Sequence, residues 1–266
     1  MQRDMKRLLV ITSIIAVVLL FVCFSFTNNK VNQDHLIYAT TWYQNSPENQ
    51  ALYYQGFNVA KMRLEQFAKV KSEKPKAVVV DIDETMLDNS PFQAQEIIDN
   101  KEFSSEFWNE WSQLGKAKAL PGAKEFSKYC DSLGVTLFYI SNRKTNELGA
   151  TLKNLDSLGF AFAKPEYFLL KENESSKKAR REKVSEKFDI VMLVGDNLND
   201  FSEVFESRGD DWGKSIVEEY KNEFGNRFII LPNPMYGEWE KNIYKTRGLS
   251  PEQMYELRKQ SAKGFK

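Results

Sequence analysis

Short apolar runs alternate with longer helical patterns between residues 77 and 231, and this alternation constrains the fold more than any other feature of the sequence. Each run has four to six residues, mostly aliphatic or aromatic, which is typical of a strand buried on both faces. Strands that alternate with helices predict a parallel sheet with right-handed crossovers, so the fold class is α/β. The predicted strands are 77–82, 135–140, 167–170, 190–194 and 228–231, and the predicted helices between them include 123–133, 145–158, 176–187 and 213–224.

Three further segments flank or interrupt this alternating region. Residues 28–75 are mainly helical by pattern, and Ser46 followed by Pro47 is typical of a helix N-cap with proline in the first turn. A helical, aromatic insertion occupies about 92–118, and the C-terminal residues 239–266 are helical and charged. The predicted organisation is an N-terminal segment 1–27, a helical segment 28–75 that packs on the core, and a main domain 76–266 that carries the insertion.

The first 27 residues have the pattern of a targeting or anchoring segment. Basic residues precede an uncharged, mostly apolar run over 8–26, which is typical of a signal peptide or of an uncleaved membrane anchor. Cys23 adds a third alternative, a lipid-anchored protein, although the large side chains at 20–22 match a lipoprotein signal poorly. Cleaved signal, membrane anchor and lipid anchor all predict export of the rest of the chain to the cell envelope, where only this segment would contact membrane.

Composition excludes several classes of chemistry. His35 is the only histidine, so metalloproteases with a H-E-x-x-H motif, zinc sites with three histidines and phosphatases with paired histidines are excluded. Lys plus Arg and Asp plus Glu both number 37, and this balance argues against polymeric nucleic acid as a partner. The two cysteines, Cys23 and Cys130, form no disulfide framework. The chemistry must therefore come from carboxylates, lysine, arginine, hydroxyls or a bound metal.

Polar clusters follow three of the predicted strands. Ligands of an open parallel sheet bind beyond the carboxyl ends of its strands, so the three clusters are expected to meet there. Each cluster alone would be explained by loop residues and helix caps, but their joint occurrence is poorly explained in that way. Crowded carboxylates need a cation, and oxygen ligands favour Mg²⁺. The carboxylates in question are Asp81 and Asp83 after the first strand and Asp196 and Asp200 after the fourth, and the remaining cluster is Ser141, Asn142 and Arg143.

An ordered set of motifs over about residues 40–245 resembles a known family. The segment VDIDETMLDNSP at 80–91 is similar to the first motif of the bacterial class C ("DDDD") acid phosphatases of the haloacid dehalogenase (HAD) superfamily. Within these, the lipoprotein acid phosphatase/5'-nucleotidase group is the most similar. The resemblance implies a HAD-like Rossmannoid parallel sheet flanked by helices, with a small helical cap subdomain. The other similar motifs are Trp42-x-x-x-Ser46, Ala51-Leu52-x-x-Gln55, Trp108-x-x-Trp111, Pro121-Gly122-Ala123, Ser141-Asn142-Arg143-Lys144, Leu231-Pro232-Asn233 and Tyr236-Gly237-x-Trp239-Glu240.

The resemblance also implies roles for the acidic residues. Asp81 matches the nucleophile that forms an aspartyl-phosphate, and Asp83 matches the general acid and base. Mg²⁺ would be held by Asp81, by the main-chain carbonyl of Asp83 and by Asp196. Asp200 would complete the acidic set, through water or by orienting its neighbours.

The same resemblance implies a phosphate-binding set and a substrate pocket. Ser141 and Asn142 match the second motif, whose hydroxyl holds a phosphoryl oxygen. Lys177 matches the third-motif lysine better than the adjacent Lys178, because the spacing to Arg180 keeps the local pattern of the family. Trp108 and Tyr236 are the candidates for stacking on the base of a nucleotide substrate.

The resulting prediction is an exported, Mg²⁺-dependent acid phosphatase that hydrolyses small phosphomonoesters, such as nucleoside 5'-monophosphates or nicotinamide mononucleotide (NMN). Other HAD chemistries fit less well, because a dehalogenase usually lacks the second aspartate of the first motif. The alternative is a catalytically degenerate surface binding protein on a HAD scaffold. The sequence does not decide between a monomer and a homodimer.

Overall fold

A five-stranded parallel sheet forms the centre of the protein. The computed structural model describes residues 33–246 and 248–265, so the predicted signal or anchor over 1–27, with Cys23, lies outside the described residues. The strand order is β5-β4-β1-β6-β7, and every neighbouring pair is parallel, which confirms the predicted fold class. The strands of this sheet are β1 (Lys76–Val80), β4 (Thr136–Lys144), β5 (Phe168–Lys171), β6 (Asp189–Gly195) and β7 (Phe228–Ile230).

Two helices precede the sheet. They are α1 (Asp34–Asn45) and α2 (Pro47–Lys69), and the Oγ of Ser46 caps α2 by accepting the N–H of Asn49 at 3.1 Å. One face of α2 is fully buried in the core through Tyr53, Phe57, Ala60 and Leu64. Within the described part of the chain, no helix is both long and apolar enough to cross a membrane.

The insertion after β1 consists of two helices, and a pair of two-residue strands joins its two ends. Its helices are α3 (Ser90–Asp99) and α4 (Ser105–Leu114), and β2 (Leu87–Asp88) pairs antiparallel with β3 (Lys118–Ala119). The two strands therefore bring both ends of the insertion back to the same place beside the end of β1. The predicted helical insertion is present, and it begins at Ser90, two residues before the expected boundary.

The crossover helices are α5 (Ala123–Ser132), α6 (Leu148–Leu158), α7 (Lys178–Ser185) and α8 (Lys214–Glu219), and a last helix, α9, spans Pro251–Ser261. The prediction of a helix over 213–224 is wrong in its length. α8 ends at Glu219 because the chain turns back there, and Phe224 packs its ring against Phe201 and Phe228 instead of continuing the helix. β4 is longer than predicted, because Lys144 still pairs with Lys171 of β5 after an irregularity in the register.

The two faces of the sheet carry separate hydrophobic clusters. Val78 and Val80 of β1 pack in the larger cluster with α2 and α5, whereas Ala77 and Val79 pack in the smaller one on the other face. Burial on both faces is the physical reason that this strand lacks an alternating pattern. Cys130 is fully buried in the larger cluster, where burial raises the pKa of its thiol well above the ordinary value.

Candidate active site

Side chains from three neighbouring strands meet at the carboxyl edge of the sheet. Asp81 follows β1 and Asp196 follows β6. Ser141 lies near the end of β4, where it pairs with Leu170 of β5. Because β1 lies between β4 and β6, these positions are adjacent. The N–H of Asp81 donates to the carbonyl oxygen of Val194 at 3.0 Å, which ties the end of β1 to the end of β6. The fold thus brings the three predicted polar clusters to one edge.

Three carboxylates form a compact acidic cluster there. One oxygen from each of Asp81, Asp196 and Asp200 lies within 4.8 Å of the others. Burial raises the pKa of Asp81 to about 7. The ammonium of Lys177 lowers this pKa, and the carboxylates of Asp200 and Asp83 raise it further. Burial, Asp200 and Asp81 raise the pKa of Asp196 well above its usual value. The ionised forms of these carboxyl groups are thus disfavoured by burial and by mutual repulsion.

Lys177 is the buried cation of this cluster. Its Nζ forms an ion pair with Asp81 Oδ1 and lies 2.6 Å from Asp200 Oδ1. Burial works against its charge, but Asp200 and Asp81 hold the pKa of Lys177 above its ordinary value. Lys178 points away from the site, where its Nζ lies 3.3 Å from Glu203 Oε1 on the surface. The two lysines that the sequence left in competition are thus clearly separated in space.

Neighbouring side chains fix the other two carboxylates. The amide of Asn233 donates to Asp196 Oδ2 at 2.8 Å, and the hydroxyl of Thr85 donates to Asp196 Oδ1 at 3.4 Å. Asp200 Oδ2 accepts the N–H of Asn197 at 3.0 Å. Thr85 therefore contacts the metal-ligand candidate Asp196.

The carboxylate of Asp83 lies outside the acidic cluster. It forms an ion pair with Arg143, whose Nη2 lies 2.8 Å from Asp83 Oδ1, and it accepts the amide N–H of Asn89 at 2.7 Å. Asp83 as a metal ligand through its main-chain carbonyl stays a prediction. Its side chain is adjacent to the cluster and is held by a separate set of donors.

The second cluster, Ser141, Asn142 and Arg143, lies at the end of β4 beside Asp83. The hydroxyl of Ser141 is buried and donates to Asp83 Oδ2 at 3.3 Å, while Asn142 is exposed. Arg180 donates to the carbonyl oxygen of Ser141 at 2.6 Å and to Asn142 Oδ1 at 2.7 Å. Phosphate binding by Ser141 and Asn142 stays a prediction, and Arg180 is an additional cation at the same strand end.

The two aromatic candidates both make hydrogen bonds within the protein. The indole N–H of Trp108 donates to Glu147 Oε1 at 2.8 Å, and its ring meets Phe92 edge-on with centroids 5.2 Å apart. The hydroxyl of Tyr236 donates to the carboxylate of Glu84, which is fully buried. Their stacking on a substrate base stays a prediction.

Several site residues had no role predicted from the sequence, although Arg143 was named there as a member of the second polar cluster. Arg143 and Asn89 contact Asp83, Asn233 contacts Asp196, and Glu84 contacts Tyr236. Arg143 and Asn233 stand in motifs that the resemblance already included, which is a usable signal. Asn89 and Glu84 lie inside the first motif, but nothing in the local sequence distinguishes them from loop residues.

The acidic cluster has the chemistry of a site for a hard divalent cation. Its donors are carboxylate oxygens, and such an ion would stabilise their ionised forms against burial and mutual repulsion. The residues that would hold it are Asp81, Asp196 and Asp200. Lys177 supplies one positive charge next to Asp81 and Asp200.

Comparison with known proteins finds matches over most of the chain. A family model described as "HAD superfamily, subfamily IIIB (Acid phosphatase)" matches residues 21–239. The structure of the class C acid phosphatase from Bacillus anthracis is 42% identical, with a TM-score of 0.83, and the match covers 88% of this chain and 99% of that one. The crystal structure of that phosphatase with tungstate bound is 41% identical, with a TM-score of 0.84 over the same shares of both chains.

Curated plant proteins are more distant. A stem 31 kDa glycoprotein of Glycine max is 30% identical over 162 residues, which are 58% of this chain and 57% of that protein. Acid phosphatase 1 of Solanum lycopersicum is 24% identical over 163 residues, 59% of this chain and 57% of that protein. The chain thus spans less than two thirds of the length of these curated relatives.

Proposed function

The chain belongs to subfamily IIIB of the HAD superfamily, the acid phosphatase subfamily, and on that premise we propose that it hydrolyses small phosphomonoesters through an aspartyl-phosphate on Asp81. The observation that supports this most directly is the pairing of Asp81 with the buried ammonium of Lys177, beside Asp196 and Asp200. A carboxylate at the end of a strand, next to a fixed positive charge, suits attack on a dianionic phosphate ester.

The proposed reaction has two steps. In the first, an oxygen of Asp81 attacks phosphorus, the ester P–O bond breaks, and Asp83 gives its proton to the leaving alkoxide. In the second, Asp83 takes a proton from a water that attacks phosphorus, and the bond from phosphorus to Asp81 breaks. The products are an alcohol and inorganic phosphate, and both aspartates return to their starting states.

The residues around Asp81 divide the remaining tasks. Lys177, Ser141 and Asn142 would hold the phosphoryl oxygens, and Asp81, Asp196 and Asp200, with the main-chain carbonyl of Asp83, would bind Mg²⁺. The bound ion would neutralise charge on the phosphoryl group as it is transferred. Lys177 keeps a positive charge next to Asp81, since the carboxylates of Asp200 and Asp81 stabilise that charge against the cost of burial.

Nucleoside 5'-monophosphates or NMN are the proposed substrates, with Trp108 and Tyr236 near the base. Aromatic faces stack on such rings at about 1–3 kcal/mol each. We also propose that the protein is exported to the cell envelope by its first 27 residues, which would make the only contact with membrane. Polymeric nucleic acid is not a proposed substrate, because the net charge is zero.

The test is phosphate release from 5'-mononucleotides, NMN and p-nitrophenyl phosphate at pH 5–6, with Mg²⁺ or with EDTA. We expect release that EDTA abolishes and that Asp81→Asn lowers about 10³-fold or more. Asp156→Asn, on the exposed face of α6, is the matched control and should retain full activity. Preference for nucleotides over p-nitrophenyl phosphate would support the base pocket, and equal rates would contradict it.

Failure has a specific alternative. No release from a folded sample with any divalent ion would contradict the enzyme and favour a catalytically degenerate surface binding protein. Size-exclusion chromatography with light scattering on the same sample distinguishes a monomer from a homodimer.

A further inference from the structure

The side chain of Asp83 is held on one oxygen by three donors. Its Oδ1 accepts from Asn89 Nδ2 at 2.7 Å, from Arg143 Nη2 at 2.8 Å and from Arg143 Nε at 3.0 Å. Its Oδ2 has only longer contacts, at 3.3 Å to Ser141 Oγ and at 3.3 Å to Arg143 Nε. Oδ1 is therefore fully occupied by donors, whereas Oδ2 is the oxygen that has room for a further partner.

The two residues that hold Asp83 are themselves fixed. Asn89 is fully buried and Arg143 is 3% exposed, so neither is free to move into water. Arg143 Nη1 donates to the hydroxyl of Thr151 at 3.0 Å, and Arg143 Nη2 lies 3.3 Å from Asn89 Oδ1. Such a bidentate arginine–carboxylate pair restrains orientation as well as position.

The insertion reaches this pair through one helix. On α4, the indole N–H of Trp111 donates to Asn89 Oδ1 at 2.9 Å. Three residues earlier on the same helix, the ring of Trp108 lies 5.6 Å from the guanidinium carbon of Arg143. Positions three apart share a helix face, so both tryptophans face Asn89 and Arg143.

We infer that Arg143, Asn89 and Trp111 are positioning residues that orient Oδ2 of Asp83 toward the leaving-group oxygen, so that the helical insertion takes part in proton transfer. The inference rests on the proposed function, since it concerns the general acid of that reaction. Trp111 acts only through Asn89, because its N–H bonds to the oxygen of the amide whose nitrogen holds Asp83.

A positioning role differs from a structural one in its dependence on the leaving group. p-Nitrophenolate leaves as a stable anion and needs little protonation, whereas an alkoxide needs a proton in the transition state. Misplacing the general acid should therefore slow an alkyl phosphate much more than p-nitrophenyl phosphate. The values of kcat/KM isolate the first step, because they do not include dephosphorylation of the enzyme, in which Asp83 would act as the base for either substrate.

The experiment compares Arg143→Lys and Trp111→Phe with the parent chain on glycerol 2-phosphate and p-nitrophenyl phosphate. General acid catalysis contributes roughly 10²–10⁴-fold to the rate, and part of this should be lost with glycerol 2-phosphate. We expect kcat/KM for that substrate to fall about 10–100-fold in Arg143→Lys and about 5–20-fold in Trp111→Phe. On p-nitrophenyl phosphate, the kcat/KM of both variants should stay within about threefold of the parent value. Trp42→Phe, on the surface of α1, is the matched control and should leave kcat/KM for both substrates unchanged.

Three outcomes would overturn the inference. They are equal losses on both substrates, a rise in KM that accounts for the loss, and a Trp111→Phe variant as active as the parent on both. If Arg143→Lys fails to fold, Trp111→Phe decides alone, because phenylalanine keeps a ring in that position. A parent chain inactive on both esters and on 5'-mononucleotides would contradict the proposed function itself, whereas an active parent with equal losses contradicts only the positioning role.

Discussion

Lys177 Nζ lies 2.6 Å from Asp200 Oδ1 in an ion pair whose two side chains are each 7% exposed. The same ammonium pairs with Asp81, so one cation links the end of β1 to the turn after β6. A buried charge pair costs desolvation and survives only with good geometry and further hydrogen bonds. That cost makes function, more than stability, the better explanation for a lysine at this position.

Replacement of Lys177 tests this explanation. Lys177→Met should lower kcat/KM for phosphate esters about 10²–10³-fold, because a fixed positive charge facing the transferred phosphoryl group is lost. Lys178→Met is the matched control, since its ammonium pairs with Glu203 on the surface. Steady-state kinetics decide the assignment. An active Lys177→Met with an inactive Lys178→Met would reverse it.

A glycine next to the acidic cluster leaves room for Asp200. A Cβ on Gly195 would lie 2.6 Å from Asp200 Cγ, and closer still to one of its carboxylate oxygens. Gly195→Ala should therefore displace Asp200, and kcat/KM should fall about 10–10²-fold, as expected for a misplaced site. Mg²⁺ affinity, measured by calorimetry, should weaken about tenfold if Asp200 supports the metal site. Gly149→Ala, where no atom lies within 4 Å of the added Cβ, should leave both unchanged.

The sequence was sufficient to predict the sheet and the place of the site. Strands buried on both faces are visible as uninterrupted apolar runs, and polar residues after three such strands had to meet at one edge. Asp81, Asp196 and Asp200 do meet there, within 4.8 Å. This part of the site could be predicted because it depends on strand order and strand ends.

The donors that hold Asp83 could not be predicted in the same way. Trp111, Asn89 and Arg143 come from the insertion, the first loop and the end of β4, and no local pattern pairs them. Their contacts depend on how the insertion folds back through the pairing of β2 with β3. Similarly, Glu84 has a left-handed backbone with φ of 54°, which its sequence neighbours do not reveal.

Glu84 and Tyr236 link the first loop to the C-terminal segment after β7. Glu84 is fully buried, and its carboxylate accepts from the hydroxyl of Tyr236 and from the N–H of Asn89, the latter at 2.8 Å. Tyr236→Phe removes one of these donors and should lower the free energy of unfolding by about 1–3 kcal/mol. Urea denaturation measures the change. Tyr38→Phe, at an 80% exposed position, is the control, and equal stability of the two variants would contradict the bond.

Glu96 on α3 is the basis of a pH-dependent prediction. The residue is 5% exposed, its Oε1 has no hydrogen-bond partner among the described residues, and burial raises its pKa from 4.5 to about 7. The folded state therefore binds a proton more tightly than the unfolded state. Ionisation of Glu96 therefore lowers the free energy of unfolding. This destabilisation is absent below about pH 4.5, grows as the pH rises, and reaches its full size above about pH 7.

Glu96→Gln removes this ionisation and should reverse the loss. Above pH 7 the variant should be more stable than the parent by about 1–2 kcal/mol, after allowance for screening by water, or about 2–8 °C in Tm. Near pH 4.5 the two proteins should melt together, because the parent carboxyl is then protonated in the folded state. Thermal unfolding at pH 4.5, 6 and 8 at constant ionic strength measures the difference. Glu110→Gln, at an exposed position of α4, is the control, and a stability gain that does not depend on pH would show that ionisation of Glu96 is not its cause.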